Sequence, residues 1–326
     1  MFLYISDFEV KSVLGMDEAL KAVEEGFREY CLGRVLMPQR VVLEIVGLNG
    51  WVGVMPVYME KDNVLAVKVV SAYPNNVKLG FPAIAGLLVY LDAKTGLPLA
   101  VMEAEHLTAV RTGAASGVAT KYLALESVKE VGVFGSGRQA KTQIEAVCRV
   151  RKVEKVKVYS PNPEHRRVFA EEMGKSLGLE VFPVENPRLT VKNSDILITA
   201  TNSKKPVLDG RWLEEGVHIN SIGAHTPTTR ELDNFTVKKA KIVVDSREAA
   251  LKEAGDLVIP ISKKVISKRK IYAELGEIVL GRKKGRVSED EITLFKSVGL
   301  AFQDAVVAKI VYEKAKKHGL GVEVGK

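Results

Sequence analysis

Cysteine is nearly missing: the chain of 326 residues holds two, Cys31 and Cys148. Two cysteines cannot build a disulfide framework, and nothing around either resembles a metal knuckle, so neither a disulfide scaffold nor a metal site is expected. Long hydrophobic runs are missing too. No stretch of about 18 apolar residues occurs, which excludes an expected membrane-spanning helix. The opening residues MFLYISDFEV carry Asp7 and Glu9 where an export signal would be basic and then apolar, so the expected compartment is the cytoplasm. Internal repeats and low-complexity segments are absent. The composition, 46% hydrophobic and 27% charged, excludes disorder, collagen and coiled coil. The length suits two domains.

Negative charge is in deficit, and the net charge is +8. Much of the excess sits in two late clusters, Lys263-Lys264 with Lys268-Arg269-Lys270, and Arg282-Lys283-Lys284 with Arg286. Only Tyr272 adjoins the first, and no aromatic residue interleaves in the second to stack a base. Solvated loops and helix ends are the better reading, and no nucleic-acid partner is expected.

The chain then divides by texture. Residues 16–32 place Ala19, Leu20, Val23, Phe27, Tyr30 and Cys31 at steps of three and four, an amphipathic helix. Short β-like runs follow at 41–46, 51–59, 64–71, 83–92 and 97–103, the last two joined by the turn AKTG. Residues 104–124 are rich in Ala, Gly, Ser and Thr. They predict a helix with a small-residue face that other backbone can approach closely. From 129 onward strands and helices alternate strictly, with six strands, which predicts a parallel doubly wound sheet. The segment from Glu289 to Gly319 reads mostly as one long helix that returns to the N-terminal unit. The expected fold is thus α/β, a Rossmann sheet (residues 123–299) plus a discontinuous α+β domain (residues 1–122 and 300–326).

The strand VGVF runs into Gly135-Ser136-Gly137-Arg138-Gln139-Ala140, a G-x-G-x-x-A pattern between a strand and a helix. Gly135 permits the tight turn, Gly137 bares the backbone to a pyrophosphate, and Ala140 lets the helix lie on the strand. The helix N-terminus then offers free N–H groups and a positive dipole end. The second strand ends Val158-Tyr159-Ser160 with no carboxylate to bind an adenosine ribose. Ser160, Asn162 and Arg166, with His165 or Arg167 nearby, suit a 2′-phosphate. NADP(H) is therefore favoured as cofactor, with NAD(H) possible.

Three cations interrupt apolar segments of the first unit: Arg40, Lys68 and Arg111. A lysine in a closed apolar pocket titrates low enough for proton transfer, and an arginine fork suits a carboxylate. The segments MDEALKAVEEGFREY, VMP, VKVVSAYPNN, TGLPLAVMEAEHLTAVRTGAASGVATKYLA, VGVFGSGRQA, HINSIGAHTPTTRELD and SVGLAFQDAVVAKIVYEKA together resemble the ornithine cyclodeaminase/μ-crystallin family over nearly the whole chain. The look is nearest to members that act as alanine dehydrogenases and as reductases of cyclic imino acids.

The resemblance implies a homodimer in which each subunit pairs a Rossmann domain with a substrate and dimerisation domain. It implies a small-molecule amino or imino acid substrate, no membrane, and an NAD(P)H-dependent oxidoreductase acting on a C–N bond. Arg40 and Arg111 would grip the substrate carboxylate, and Lys68 would be the acid/base. Arg111 and Thr112 would lie near the cofactor, with Ser136, Arg138 and Gln139 along its pyrophosphate. Thr201, Ile222, Gly223 and Ala224 would border the nucleotide, and Ser297 would approach the nicotinamide.

Two departures bear on the reaction. Deaminating members carry an acidic residue just before the Met-Pro pair, where this chain has Gly53 and Val54. They also carry an aspartate after the fifth strand, where this chain has His225. An uncharged pocket fits a small or cyclic substrate better than a diamino acid, and His225 is a candidate acid–base partner for Lys68. Ornithine cyclodeaminase activity and non-catalytic NADPH binding are the alternatives.

Overall fold

The computed structural model describes residues 1–325. It separates into two compact units, Met1–Arg111 with the segment from Leu300 onward, and Thr112–Gly299. Among the described residues no helix is long and apolar enough to cross a membrane.

The first unit opens with β1 (Phe2–Ile5), α1 (Asp7–Val13) and α2 (Met16–Cys31). Strands β2 (Val35–Leu36), β3 (Val41–Ile45), β4 (Gly50–Met59), β5 (Val64–Ala72), β6 (Ile84–Asp92) and β7 (Pro98–Glu103) follow, and α3 (Glu105–Leu123) leaves the unit after Arg111. The second unit runs β8 (Glu130–Phe134), α4 (Arg138–Val150), β9 (Lys155–Tyr159), α5 (Pro163–Leu177), β10 (Glu180–Pro183), α6 (Pro187–Val191), β11 (Ile196–Thr199), β12 (His218–Ser221), α7 (Asn234–Lys239), β13 (Lys241–Val244), α8 (Arg247–Glu253), α9 (Gly255–Ser262), β14 (Ile271–Glu274), α10 (Leu275–Val279) and β15 (Thr293–Lys296). The chain closes in the first unit with α11 (Ala301–His318) and β16 (Val322–Val324).

The first unit is a sheet in the order β16-β1-β7-β6-β5-β4-β2, with β3 paired to β4 alone. Every pairing is antiparallel except β1 with β7. Strand β5 alternates as the period of two requires: Val64, Ala66, Lys68, Val70 and Ala72 are buried on one face. Helix α11 packs over that face and against α2. Phe302 meets Phe27 edge-on at 5.1 Å and stacks on Tyr30 at 5.5 Å. A Cβ on Gly26 would stand 2.7 Å from the Phe302 ring, so glycine is what lets the two helices close.

The second unit is an eight-stranded parallel sheet in the order β10-β9-β8-β11-β12-β15-β13-β14. The strand order reverses at β8, whose neighbours are β9 and β11, and ligands of such sheets bind beyond the carboxyl ends of the strands at that point. Its core joins β8, β9 and β11 to α4 and α5 through residues such as Val131, Ile144, Val156 and Phe169. In α3, a Cβ on Gly113 would stand 2.4 Å from the carbonyl oxygen of Thr142 in α4, a close backbone approach through small residues.

The expected α/β fold class is found, with two more strands in the parallel sheet than were expected. Thr293–Lys296, read as the start of the long helix, is β15, fully buried between β12 and β13; the helix begins only at Ala301. Ile271–Glu274 adds β14 at the sheet edge. Four residues are too few to show a period, and burial on both faces removes the alternation that marks a strand.

Candidate active site

In the first unit a buried ionic cluster forms where β5 meets α11. Lys68 is 2% exposed and Asp304, from the first turn of α11, is 1% exposed. Lys68 Nζ lies 2.7 Å from Asp304 Oδ1, and Arg111 Nε donates to the same oxygen at 3.0 Å. Arg111 Nη1 donates to Gln303 Oε1 at 2.9 Å, and Lys68 Nζ reaches the Thr108 hydroxyl at 3.5 Å. Burial pushes the Lys68 amine down to about 7; the Asp304 charge opposes this, while the Arg111 and Arg40 charges add to it. Two of the three cations expected to form a site, Lys68 and Arg111, are thus brought onto one carboxylate, and the charge of Arg40 acts on Lys68. Asp304 and Gln303 were not singled out in the sequence. Their signal was a polar Gln-Asp pair inside the apolar run LAFQDAVVAKIV.

The walls beside Lys68 are apolar. Met55 on β4 and Leu88 on β6 stand directly across from it, both buried. One step along, Val70 is flanked by Gly53 and Gly86. Of the two positions where deaminating relatives are expected to place an acid, Gly53 therefore lies on the Lys68 face by alternation, and Val54 on the other.

In the second unit the glycine loop follows β8. Gly135 has φ +113°, and a Cβ there would strike the carbonyl oxygen of Ala200 at 2.3 Å. Gly137 is the N-cap of α4, makes no side-chain cap, and would point a Cβ into open space. The first turn of α4 is thereby left bare, and the buried Oε1 of Gln139 has no hydrogen-bond partner. A bare helix N-terminus and an orphaned acceptor fit a dinucleotide's phosphates and hydroxyls. Ser136 and Arg138 flank Gly137 at the loop tip.

At the end of β9 the structure brings Ser160, Asn162 and Arg166 together. Ser160 Oγ donates to the Asn162 carbonyl at 3.3 Å, and Arg166 Nη1 donates to the Ser160 carbonyl at 2.9 Å. The Asn162 side chain caps α5 by accepting from the amides of Glu164 and His165. Arg167 instead pairs with Glu164 and Glu171 at the exposed surface.

Beyond β11 and β12, one buried carboxylate ties the loops. Glu231 accepts from the Thr201 amide at 2.6 Å, the Thr201 hydroxyl at 2.7 Å, the Thr199 hydroxyl at 2.9 Å and the Gly223 amide at 2.8 Å. Burial pushes its carboxyl up, with Lys296 opposing. A Cβ on Gly223 would stand 2.3 Å from the Thr201 carbonyl oxygen, so the two loops touch backbone to backbone. Ile222 and Ala224 on either side are buried. Lys296 is itself buried against Asp256 at 2.8 Å, and Asp256 accepts from the amides of Glu231 and Leu232.

Asp245, at the carboxyl end of β13, does the same for the loop after β15. One of its oxygens accepts from the Ser297 hydroxyl and from the amides of Val298 and Gly299, each at 2.8 Å. Because the Ser297 proton goes to Asp245, its oxygen is left as an acceptor for any ligand amide. Thr112 is buried, and its carbonyl accepts from Gln143 Nε2. His225 Nδ1 lies 3.1 Å from the Gly223 carbonyl, which assigns the proton to Nδ1 and leaves Nε2 as the acceptor of the neutral ring. Sequence reasoning missed Glu231 and Asp245, which act through the loops they hold.

Comparison with known proteins places this architecture. The chain is 41% identical over 323 residues to the alanine dehydrogenase of Archaeoglobus fulgidus, covering 99% of this chain and 98% of that protein. Among solved structures it superposes on the Thermococcus litoralis Δ1-pyrroline-2-carboxylate reductase in complex with NADH and L-proline, with a TM-score of 0.98, 50% identity and coverage of 99% and 100% of the two chains. It superposes on an archaeal alanine dehydrogenase dimer with bound NAD with a TM-score of 0.94, 40% identity and coverage of 99% of each chain. The model of one family matches residues 3–319, nearly end to end. The chain therefore belongs to the ornithine cyclodeaminase/mu-crystallin family.

Proposed function

We propose that this protein is an NAD(P)H-dependent oxidoreductase that reduces the C=N bond of a small or cyclic α-imino acid, or runs the reverse oxidation of the amino acid. The observation that carries the proposal is the buried Lys68, which shares one carboxylate with Arg111 beside the apolar Met55 and Leu88. Arg40 and Arg111 bind the substrate carboxylate, and Arg111 does so with a fixed fork. Lys68 gives its proton to the imine nitrogen in reduction and takes it back in oxidation. The dihydronicotinamide, when bound, supplies the hydride that the substrate Cα accepts. Imine, hydride and proton then sum to the amine.

Gly135, Ser136, Gly137, Arg138 and Gln139 hold the pyrophosphate, and the loops tied by Glu231 and Asp245 present Thr201, Ile222, Gly223, Ala224 and Ser297 to the rest of the cofactor. Arg111 and Thr112 complete that set. Ser160, Asn162 and Arg166 receive a 2′-phosphate, so NADPH is favoured. The support is the lack of a carboxylate at the end of β9 and the position of Arg166 against Ser160. Equal kcat/KM with NADPH and NADH would remove this preference.

The substrate is of the alanine or proline kind. Gly53, Val70 and Gly86 beside Lys68 offer no charge to a side chain, which disfavours ornithine. His225, whose Nδ1 lies 3.1 Å from the Gly223 carbonyl, is the second acid–base candidate. Two subunits form the working unit, as in the archaeal relative solved as a dimer. The deciding measurement is loss of reduced-nicotinamide absorbance with Δ1-pyrroline-2-carboxylate, and with pyruvate plus ammonia. Turnover with either supports the reading. Release of ammonia from ornithine without net nicotinamide reduction would replace it with a lyase, and tight NADPH binding without any turnover would replace it with a binding protein.

A further inference from the structure

The cluster around Lys68 has more cations than counter-charge. The largest charge effects on Lys68 come from the Asp304 carboxylate of α11, the Arg111 guanidinium of α3 and Arg40 from the segment between β2 and β3. Beside it stand the uncharged Thr108 hydroxyl and the cross-strand Met55 and Leu88. One carboxylate serves both Lys68 and Arg111, and it serves them through a single oxygen. Asp304 Oδ1 takes both Lys68 and Arg111, whereas Oδ2 is buried and accepts nothing. In the same turn of α11, Gln303 Nε2 is buried and has no acceptor. Buried polar groups without partners are costly, so this arrangement is improved by a ligand that brings a further anion and acceptor.

We propose that Asp304 is a stand-in for the substrate carboxylate, and that the substrate's own carboxylate, by taking over Arg111 and Arg40, loads Lys68 with the proton that reduction consumes. The inference rests on the functional reading above. Before a substrate binds, burial and two guanidinium charges work against the ammonium, and Asp304 is shared. When a carboxylate pairs with the arginines, their repulsion of Lys68 is neutralised and Asp304 is left to Lys68 alone. Both changes favour the charged amine. A proton is drawn from solvent on binding, passes from Nζ to the imine nitrogen as hydride reaches Cα, and leaves with the amine. Asp304 is in this scheme a positioning residue. It touches neither substrate nor cofactor in the step and acts through Lys68.

The test is calorimetry of the NADPH-saturated protein with pyrrole-2-carboxylate, a planar acid that cannot be reduced as an imine, at about pH 8 in two buffers of different ionisation enthalpy. The wild type should take up more than about half a proton per ligand bound, a value set by an amine that titrates near neutrality when empty. Lys68→Met should bind through the arginines with no uptake. Asp304→Asn should bind the acid at least as tightly as the wild type, because an internal competitor is gone. Its kcat should fall about tenfold or more, with the acid-requiring limb of the pH profile moved to lower pH. Binding to the wild type without buffer dependence would overturn the inference alone, and so would an Asp304→Asn protein with weaker binding and an unmoved pH limb. Should Asp304→Asn fail to fold, the comparison of wild type with Lys68→Met decides. If no carboxylic acid binds the wild type, the functional reading fails and takes the inference with it.

Discussion

A lysine inside a β-strand of valines is costly unless its charge is matched or removed, and Lys68 is placed where both happen. Its amine titrates near 7 because burial outweighs the nearby Asp304 charge, with Arg111 and Arg40 adding to the downward push. The proposed role therefore carries a pH signature whose sign follows from chemistry. Reduction needs the ammonium, so its kcat/KM should be level below about pH 7 and fall above it; oxidation needs the neutral amine and should rise through the same region. Since kcat/KM reports the free enzyme and kcat the complex, the kcat limb should lie at higher pH once a carboxylate has neutralised the arginines. Lys68→Ala should lower kcat by about 10²–10⁴-fold while NADPH titration by fluorescence is unchanged. Turnover retained in that variant would remove Lys68 from the chemistry.

At the scale of elements, the two glycines of the loop after β8 do different work and make a paired test. Gly135 is bound by its positive φ and by the Ala200 carbonyl, so Gly135→Ala should lower stability by about 1–3 kcal/mol in chemical denaturation and lose cofactor binding as well. Gly137 has ordinary φ and open space around it, so Gly137→Ala should leave the unfolding midpoint unchanged and weaken cofactor binding by about tenfold or more. Glu231 belongs to the same scale. Replacing it with Ala strands four donors at the ends of β11 and β12, and should both destabilise the unit and raise the cofactor KM. Glu231→Gln, which keeps an acceptor, should do less of each.

These elements also show where sequence runs out. The glycine loop, the strand–helix alternation and the period of β5 were legible because each is local: a handful of adjacent residues states the geometry. Strands β14 and β15 were not, being short and too deeply placed to alternate. Asp304, Glu231 and Asp245 were not either, because a buried carboxylate reads as one until its distant donors are known, and those of Asp304 lie on β5 and α3. Lys68 and Arg111, which the structure sets on one carboxylate, could be singled out because each breaks an apolar or small-residue segment. What the sequence left out is the acid between them.

At the scale of the whole molecule the open question is what covers the apolar surface of the first unit. Strand β3 pairs with β4 on one side only, and Val41, Val42 and Leu43 are all exposed. Val46 and Leu48 continue the patch past its end, and Val69, Ile84 and Leu87 expose apolar surface on β5 and β6. A strand with one free edge and several bare aliphatic side chains is a hazard for a protein carrying a net charge of +8 unless another surface seals it. A second copy of this chain is the proposed cover, in keeping with the archaeal relative solved as a dimer. The wild type should then sediment as a dimer at micromolar concentration. Val42→Lys with Leu43→Asp should shift it to monomer, because charges buried in an apolar interface lose their hydration without gaining partners. The chain's own fold should tolerate the change, since both positions are exposed within one subunit, so the far-ultraviolet dichroism of the variant should match the wild type. A wild type that sediments as a monomer would remove the dimer, and a variant that stays dimeric would move its interface elsewhere.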